Sequence, residues 1–132
     1  MRQEWECPDP VIRQQLVEEY RGCCQICGEG FRKRNGEPFF ISKYLVSRTK
    51  ARTIDRLGNV LCLCANCSAK FQHGGVEMTD PVEQILALRT VAEGGALEPS
   101  IVFRLCGEDR RIVFSERHLI DLQELIKQLS SH

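Results

Sequence analysis

Four of the chain's eight cysteines fall into two matched pairs, Cys24-Gln25-Ile26-Cys27 and Cys64-Ala65-Asn66-Cys67, with 36 residues between them. A Cys-x-x-Cys step holds two thiolates on one tight turn, and a tetrahedral zinc ion needs four such donors converging on a point. Two knuckles complete an all-thiolate shell. The pattern predicts one structural Zn2+ with Cys24, Cys27, Cys64 and Cys67 as ligands. Cys23 and Cys62 lie close enough in sequence to replace Cys24 or Cys64, and spacing alone leaves that choice open. Cys7 and Cys106 are spare.

A secreted disulfide scaffold would also be rich in cysteine. Against it, the opening stretch Met1 to Glu6 is polar and charged, and no segment approaches the length of a membrane span. The expectation is a soluble, reduced, cytoplasmic protein that engages no membrane. With 132 residues and 42% apolar composition, the chain predicts a single domain, 1–132, around a small core. Net charge is zero but unevenly spread. Residues 21–73 carry ten Lys/Arg against three Asp/Glu, and the remainder carries eight against fifteen. The basic zinc half is a candidate for contact with phosphates.

The elements that must position the knuckles follow from periodicity and punctuation. Asp9-Pro10 opens a helix with Ile12, Leu16 and Tyr20 on one face, and Gly22 ends it just before the first knuckle. Phe31 to Arg34 and Pro38 to Ile41 read as strands around an Asn35-Gly36 turn, with Tyr44-Leu45-Val46 extended beyond. Ser47 to Asn59 is a polar loop. Val60, Leu61 and Leu63 lead into the second knuckle, and Ala65 to Phe71 begins a helix that Gly74-Gly75 stops. Asp80-Pro81, with Glu83 as a capping-box partner, starts a helix with Ile85, Leu88 and Ala92 inward, closed by Gly94-Gly95. Ile101 to Leu105 and Arg111 to Phe114 predict a hairpin across Gly107 to Arg110. Ser115 caps a last helix with Leu119, Leu122, Ile126 and Leu129 toward the core and His118 at the surface.

A knuckle, a hairpin, a long loop and a second knuckle opening a helix resembles a treble-clef zinc fold, and more specifically the HNH nuclease superfamily. The resemblance covers about residues 20 to 75. It rests on Cys24-Gln25-Ile26-Cys27-Gly28, Phe31, Gly36-Glu37-Pro38-Phe39, and Gly58-Asn59-Val60-Leu61-Cys62-Leu63-Cys64-Ala65-Asn66-Cys67. It implies an α+β fold: a small treble-clef, HNH-like ββα zinc module behind an N-terminal helix. A C-terminal helix, β-hairpin and helix layer spans about 79–130. In that family the knuckles are structural and brace a ββα unit that holds a second, catalytic metal. The family's general base is a histidine, often in an Asp-His or His-His pair, on the strand after the first knuckle. Lys43 and Tyr44 fill that place here, and no histidine stands between the knuckles. Asn59 matches the family's middle asparagine, and Ser68 replaces its last metal ligand. An ordinary tyrosine, with a pKa of about 10, is a poor base, and Lys43 repels a cation.

Hydrolytic residues are therefore not expected. The leading expectation is a zinc-stabilised, non-catalytic HNH-like module within a larger DNA-processing or defence protein of the bacterial kind. It would bind DNA or RNA through Arg32, Lys33, Arg34, Lys43, Arg48, Lys50, Arg52 and Arg56. Two alternatives stand beside it. One is an active metal-dependent endonuclease using His73, Asp55 and Asn59. The other is a structural or protein-interaction domain serving other parts of a longer chain. In each case zinc is expected to be required for folding.

Overall fold

The computed structural model describes residues 9–45, 56–95 and 97–130. Cys7, Val46, Arg48, Lys50, Arg52, Asp55 and His132, and the side chain of Leu129, lie outside the described residues. The described chain is mixed α+β, with four α-helices and three small antiparallel sheets.

Helix α1, Pro10–Tyr20, starts where Asp9 accepts a hydrogen bond from the Val11 amide (2.8 Å). It ends on Arg21 in the left-handed region (φ 57°), with Gly22 also at positive φ (76°). Strands β1 (Phe31–Arg32) and β2 (Pro38–Phe39) pair through Phe31↔Phe39 and Arg32↔Pro38, with Gly36 supplying positive φ in the turn. This hairpin is shorter than its sequence predicts. Lys33 and Arg34 belong to the turn, and after Phe40 the chain leaves β2 and enters β3, Ile41–Tyr44.

Strand β3 pairs with β4, Val60–Leu63, in the register Ile41↔Leu63 to Tyr44↔Val60. All four residues of β4 are fully buried, because the strand divides two cores. Leu61 and Leu63 face one core, shared with Cys24, Cys67, Ile85, Ile101, Phe103, Leu105, Ile112, Phe114, Leu119 and Leu122. Val60 and Cys62 face the other, shared with Ile12, Leu16, Phe40, Tyr44 and Leu57. Successive side chains of a strand point to opposite faces, so a strand wet on neither side must be apolar throughout.

Helix α2, Ala65–His73, follows β4 directly. Strands β5 (Val76–Glu77), β6 (Ser100–Leu105) and β7 (Glu108–Val113) form the third sheet in that order. The β6–β7 connection is tighter than the predicted four-residue turn. Cys106 and Gly107 make a two-residue turn with both φ positive (53° and 80°), the combination that matches strand twist.

Helix α3 spans Pro81–Ala87 and stops well short of the predicted Gly94-Gly95. Asp80 is left-handed (φ 47°) and makes no side-chain cap, so the expected box with Glu83 does not form. The reason for the early stop lies in another element. Gln123, on helix α4 (Glu116–Ser130), donates to the carbonyls of Ile85 and Leu88 (2.9 Å each), satisfying acceptors that a continuing helix would have used. A capping box forms farther on instead, between Thr90 and Glu93 around the short turn Val91–Glu93, which leaves Ala92 exposed.

The largest departure from expectation is His118. Ser115 caps α4 as predicted, accepting from the His118 amide (3.3 Å), but the imidazole is fully buried rather than at the surface. The amide of Ser115 can only donate, and it donates to Tyr20 Oη (3.0 Å). The Gly58 carbonyl can only accept, so His118 Nε2–H donates to it (3.3 Å), and Nδ1 of the neutral imidazole accepts from the Tyr20 hydroxyl (2.6 Å). This chain ties α1, the turn Leu57–Asn59 and α4 together. Asp121 reinforces it, accepting from the Gly58 amide (2.7 Å) and from Arg56 (2.5 Å). Gly58 has no room for a side chain, since a Cβ there would sit 2.5 Å from the Leu122 backbone nitrogen.

A proton added at Nδ1 would face a hydroxyl that has no acceptor left for its own hydrogen. Burial, opposed by the Gly58 carbonyl and Asp121, accordingly pushes the imidazole from its usual 6.5 down to about 4. The unfolded chain takes up this proton near pH 6.5 while the folded chain refuses it until near pH 4. Stability is therefore fully present above pH 6.5 and falls as pH drops through this window, by about 3 kcal/mol in all. Urea midpoints at several pH values should show this loss in the wild type. In His118→Gln, less stable at pH 7, that component of the slope should vanish. An unchanged pH dependence in the variant would refute the assignment.

Among the described residues, no helix is long and apolar enough to cross a membrane.

Candidate metal centre

The first knuckle lies between α1 and β1, and the second at the β4–α2 junction. Local hydrogen bonds build both turns. Gly28 N donates to Cys24 O, and Cys24 N donates to Glu29 O (both 2.9 Å). In the second, Cys64 is the N-cap of α2, and its sulfur accepts from the Cys67 amide (3.4 Å). Cys24 Sγ likewise accepts from the Ile26 amide (3.4 Å). Amides aimed at sulfur favour thiolate over thiol.

The Sγ atoms of Cys24, Cys27, Cys64 and Cys67 all lie within 4.8 Å of one another, and Cys27 and Cys64 are 3.6 Å apart. Four thiolates at about 2.3 Å around a tetrahedral zinc stand about 3.8 Å from each other. The four cysteines therefore fit a metal ion. A closed four-sulfur shell leaves no position for a reacting water, so such an ion supplies structure rather than catalysis. The cluster opens outward on one side only: Cys24 and Cys67 are buried, Cys64 half-buried and Cys27 exposed.

The alternatives left open by spacing are resolved by the strand. Cys62 precedes Cys64 by two residues, yet it belongs to the core under α1 and is absent from the sulfur cluster. Burial pushes its thiol up to about 12. Cys23 is half-buried and also outside the cluster. Within the cluster, burial raises the thiols of Cys27 and Cys67. Burial opposes ionisation of Cys64 as well, but the Cys67 amide and neighbouring thiols hold it below the usual value. The Cys64 sulfur is poised to ionise, and those of Cys27 and Cys67 resist. A divalent cation resolves this by displacing their protons.

Protein-family models, curated proteins and solved structures were compared with this chain, and none matches. What can be said of the site therefore comes from its own geometry.

Arg48, Lys50 and Arg52 lie outside the described residues, and the described basic residues named from sequence do not form one surface. Lys43 is buried and hydrogen-bonds Gln72 of α2. Arg56 is held by Asp121 and by Gln128 (2.8 Å). Arg32, Lys33 and Arg34 are exposed together on the β1–β2 hairpin. There Arg32 donates to the Gly36 carbonyl (2.9 Å), and Lys33 pairs with Glu37 (3.6 Å). His73 is exposed at the end of α2 and is not part of the sulfur cluster. Asn59 is fully buried.

Sequence reasoning passed over Gln25, one of the two residues between the first pair of ligands. It is buried, and its main chain donates to Cys62 O (2.9 Å) and accepts from Val113 N (3.0 Å). Its side chain accepts from Cys62 N and donates to Val113 O (both 2.8 Å). One knuckle residue thus bonds an edge of β4 and an edge of β7 at once. Only its polarity inside an otherwise apolar tetrapeptide marks it in the sequence.

Proposed function

We propose that this chain is a zinc-stapled, non-catalytic ββα module of the HNH, treble-clef type, which binds nucleic acid through its basic half as part of a larger DNA-processing or defence protein. One observation carries the non-catalytic part. In the order β3, β4, α2, the positions at which a hydrolytic member keeps its base and its last metal ligand are held by Lys43, Tyr44 and Ser68. All three are buried. A water and a scissile phosphate need access to the base and the cation, and these side chains are packed inside instead.

Charge supports the binding part. The half that contains the knuckles carries ten cationic side chains against three anionic ones, and Arg32, Lys33 and Arg34 stand exposed on one turn. Neutralising about three phosphates makes affinity for a duplex fall roughly fortyfold between 50 and 200 mM salt. Fluorescence anisotropy with a labelled duplex should show that slope, and the double reversal Arg32→Glu with Arg34→Glu should flatten it. Incubation of a supercoiled plasmid with the zinc-loaded protein and Mg2+ or Mn2+ should leave it unnicked. Salt-independent binding would sink the first half of the reading, and metal-dependent nicking that survives repurification the second.

A further inference from the structure

The β1–β2 hairpin presents an aromatic surface that its own fold does not use. Phe31 and Phe39 are cross-strand partners whose rings stack, with centroids 5.1 Å apart and planes 14° from parallel. Such a pair steadies a short hairpin, which accounts for the inner face of Phe31. It does not account for the outer face: Phe31 remains 63% exposed, while Phe39 is half-buried. Phe31 is thus the outer layer of a preformed stack, rigid because its partner ring already fixes its plane.

The charged surroundings of this ring are cationic on balance, three basic side chains against Glu29 and Glu37. Arg32, Lys33 and Arg34 follow it in sequence. Arg21 is also exposed, but a Cβ at the neighbouring Gly22 would lie 2.5 Å from Pro38 Cβ, on the hairpin face opposite the two rings. Neither Arg21 nor Arg34 has a side-chain hydrogen bond or ion pair among the described residues. A protein partner docking on Phe31 would expect a contiguous apolar patch, but the exposed neighbours here are Glu29, Arg32, Lys33, Arg34 and Glu37. An exposed planar ring on the same short hairpin as three exposed cationic side chains matches a different chemistry: a base with its phosphate.

We propose that Phe31 is a stacking platform for an unpaired base, so that the ligand of this corner is a single-stranded nucleic acid. The proposal rests on the reading that the basic half binds nucleic acid, and it specifies which form. A duplex keeps its base faces stacked inside and offers this ring nothing. A single strand can lay one base on the outer face of Phe31 while the exposed Arg34 of the same hairpin meets an adjoining phosphate.

The test uses the full zinc-loaded chain and anisotropy at low salt with four labelled probes of equal length. These are oligo-dT, oligo-U, a duplex, and a DNA strand carrying abasic sites in place of bases. The wild type should bind both base-bearing strands about 5 to 100 times more tightly than the abasic strand. Phe31→Ala should abolish that difference and leave duplex binding within about twofold, and Phe31→Trp should restore it. Because Phe31 is largely exposed, unchanged circular dichroism and zinc content in Phe31→Ala will show that the fold is intact. Equal binding of abasic and base-bearing strands, or indifference to Phe31→Ala, overturns the platform while salt-dependent binding keeps the broader reading alive. Failure of every probe to bind overturns both.

Discussion

Removing the metal should unfold this chain around β4. A strong chelator, or Cys67→Ser, is expected to abolish the cooperative thermal transition and to lower bound zinc from about one equivalent to none. Structural zinc contributes roughly 10–16 kcal/mol of apparent binding free energy in small folds, whereas a whole domain is stable by only about 5–15 kcal/mol. The loss therefore exceeds what the rest of the molecule can offset. Geometry adds a reason: Cys24 and Cys67 are themselves part of the larger core, beside Leu61, Leu63 and Phe114. If their sulfurs were protonated and unclamped, they would repack with no partner to hold the two knuckles together, and burial already pushes the Cys67 thiol up. Cys62→Ser is the control. It places a hydroxyl in the core under α1, costing about 1–3 kcal/mol, and should leave zinc content unchanged. A chelated protein that melts cooperatively at its original temperature, or loss of zinc from Cys62→Ser, would contradict this assignment.

The difference between these two cysteines shows what a sequence can and cannot convey. Cys-x-x-Cys spacing is a local signal, because two ligands on one turn are close by covalent geometry alone. The order of elements is also largely local. Asp9-Pro10 and Ser115 mark helix starts by cap chemistry, and Val60, Leu61 and Leu63 are legible as an apolar run into the second knuckle, whose burial on both faces only the fold shows. Which element satisfies which leftover polar group is not local. Helix α3 ends at Ala87 because Gln123, more than thirty residues on, takes its carbonyls. His118 reads as a first-turn surface residue by polarity. Yet it stands one and two helical turns before Leu122 and Leu125, on the face that packs inward, and a tyrosine from α1 makes its burial tolerable. The basic half was legible as composition but not as a surface. Lys43 turns in to Gln72, Arg56 is taken by Asp121, and among the described residues named from sequence the exposed group is at the hairpin. The stacked pair Phe31–Phe39 needed the register of β1 and β2 before its free face became visible.

Gln25→Ala should be among the most destabilising single changes that leave all four sulfurs in place. The substitution strips two hydrogen bonds at once: the Cys62 amide loses its acceptor and the Val113 carbonyl loses a donor. Each buried group left without a partner costs about 1–3 kcal/mol, so a loss of about 2–5 kcal/mol is expected in urea or thermal unfolding. Zinc should still bind at about one equivalent. Gln25→Glu should fare no better, because a carboxylate can accept from Cys62 but cannot donate to Val113, and it carries a charge into a buried place. Hydrogen exchange separates the two roles of this residue. In Gln25→Ala the Cys62 amide should exchange faster, since only the side chain protected it, while the Val113 amide stays slow behind the main-chain carbonyl of residue 25. Zinc removal displaces the whole knuckle, so there both amides should speed up. A Gln25→Ala protein within about 0.5 kcal/mol of wild type, a difference ordinary for unremarkable surface sites, would mean that water or a shifted backbone satisfies these groups. The knuckle would then be joined to the sheet of β6 and β7 by its apolar contacts alone.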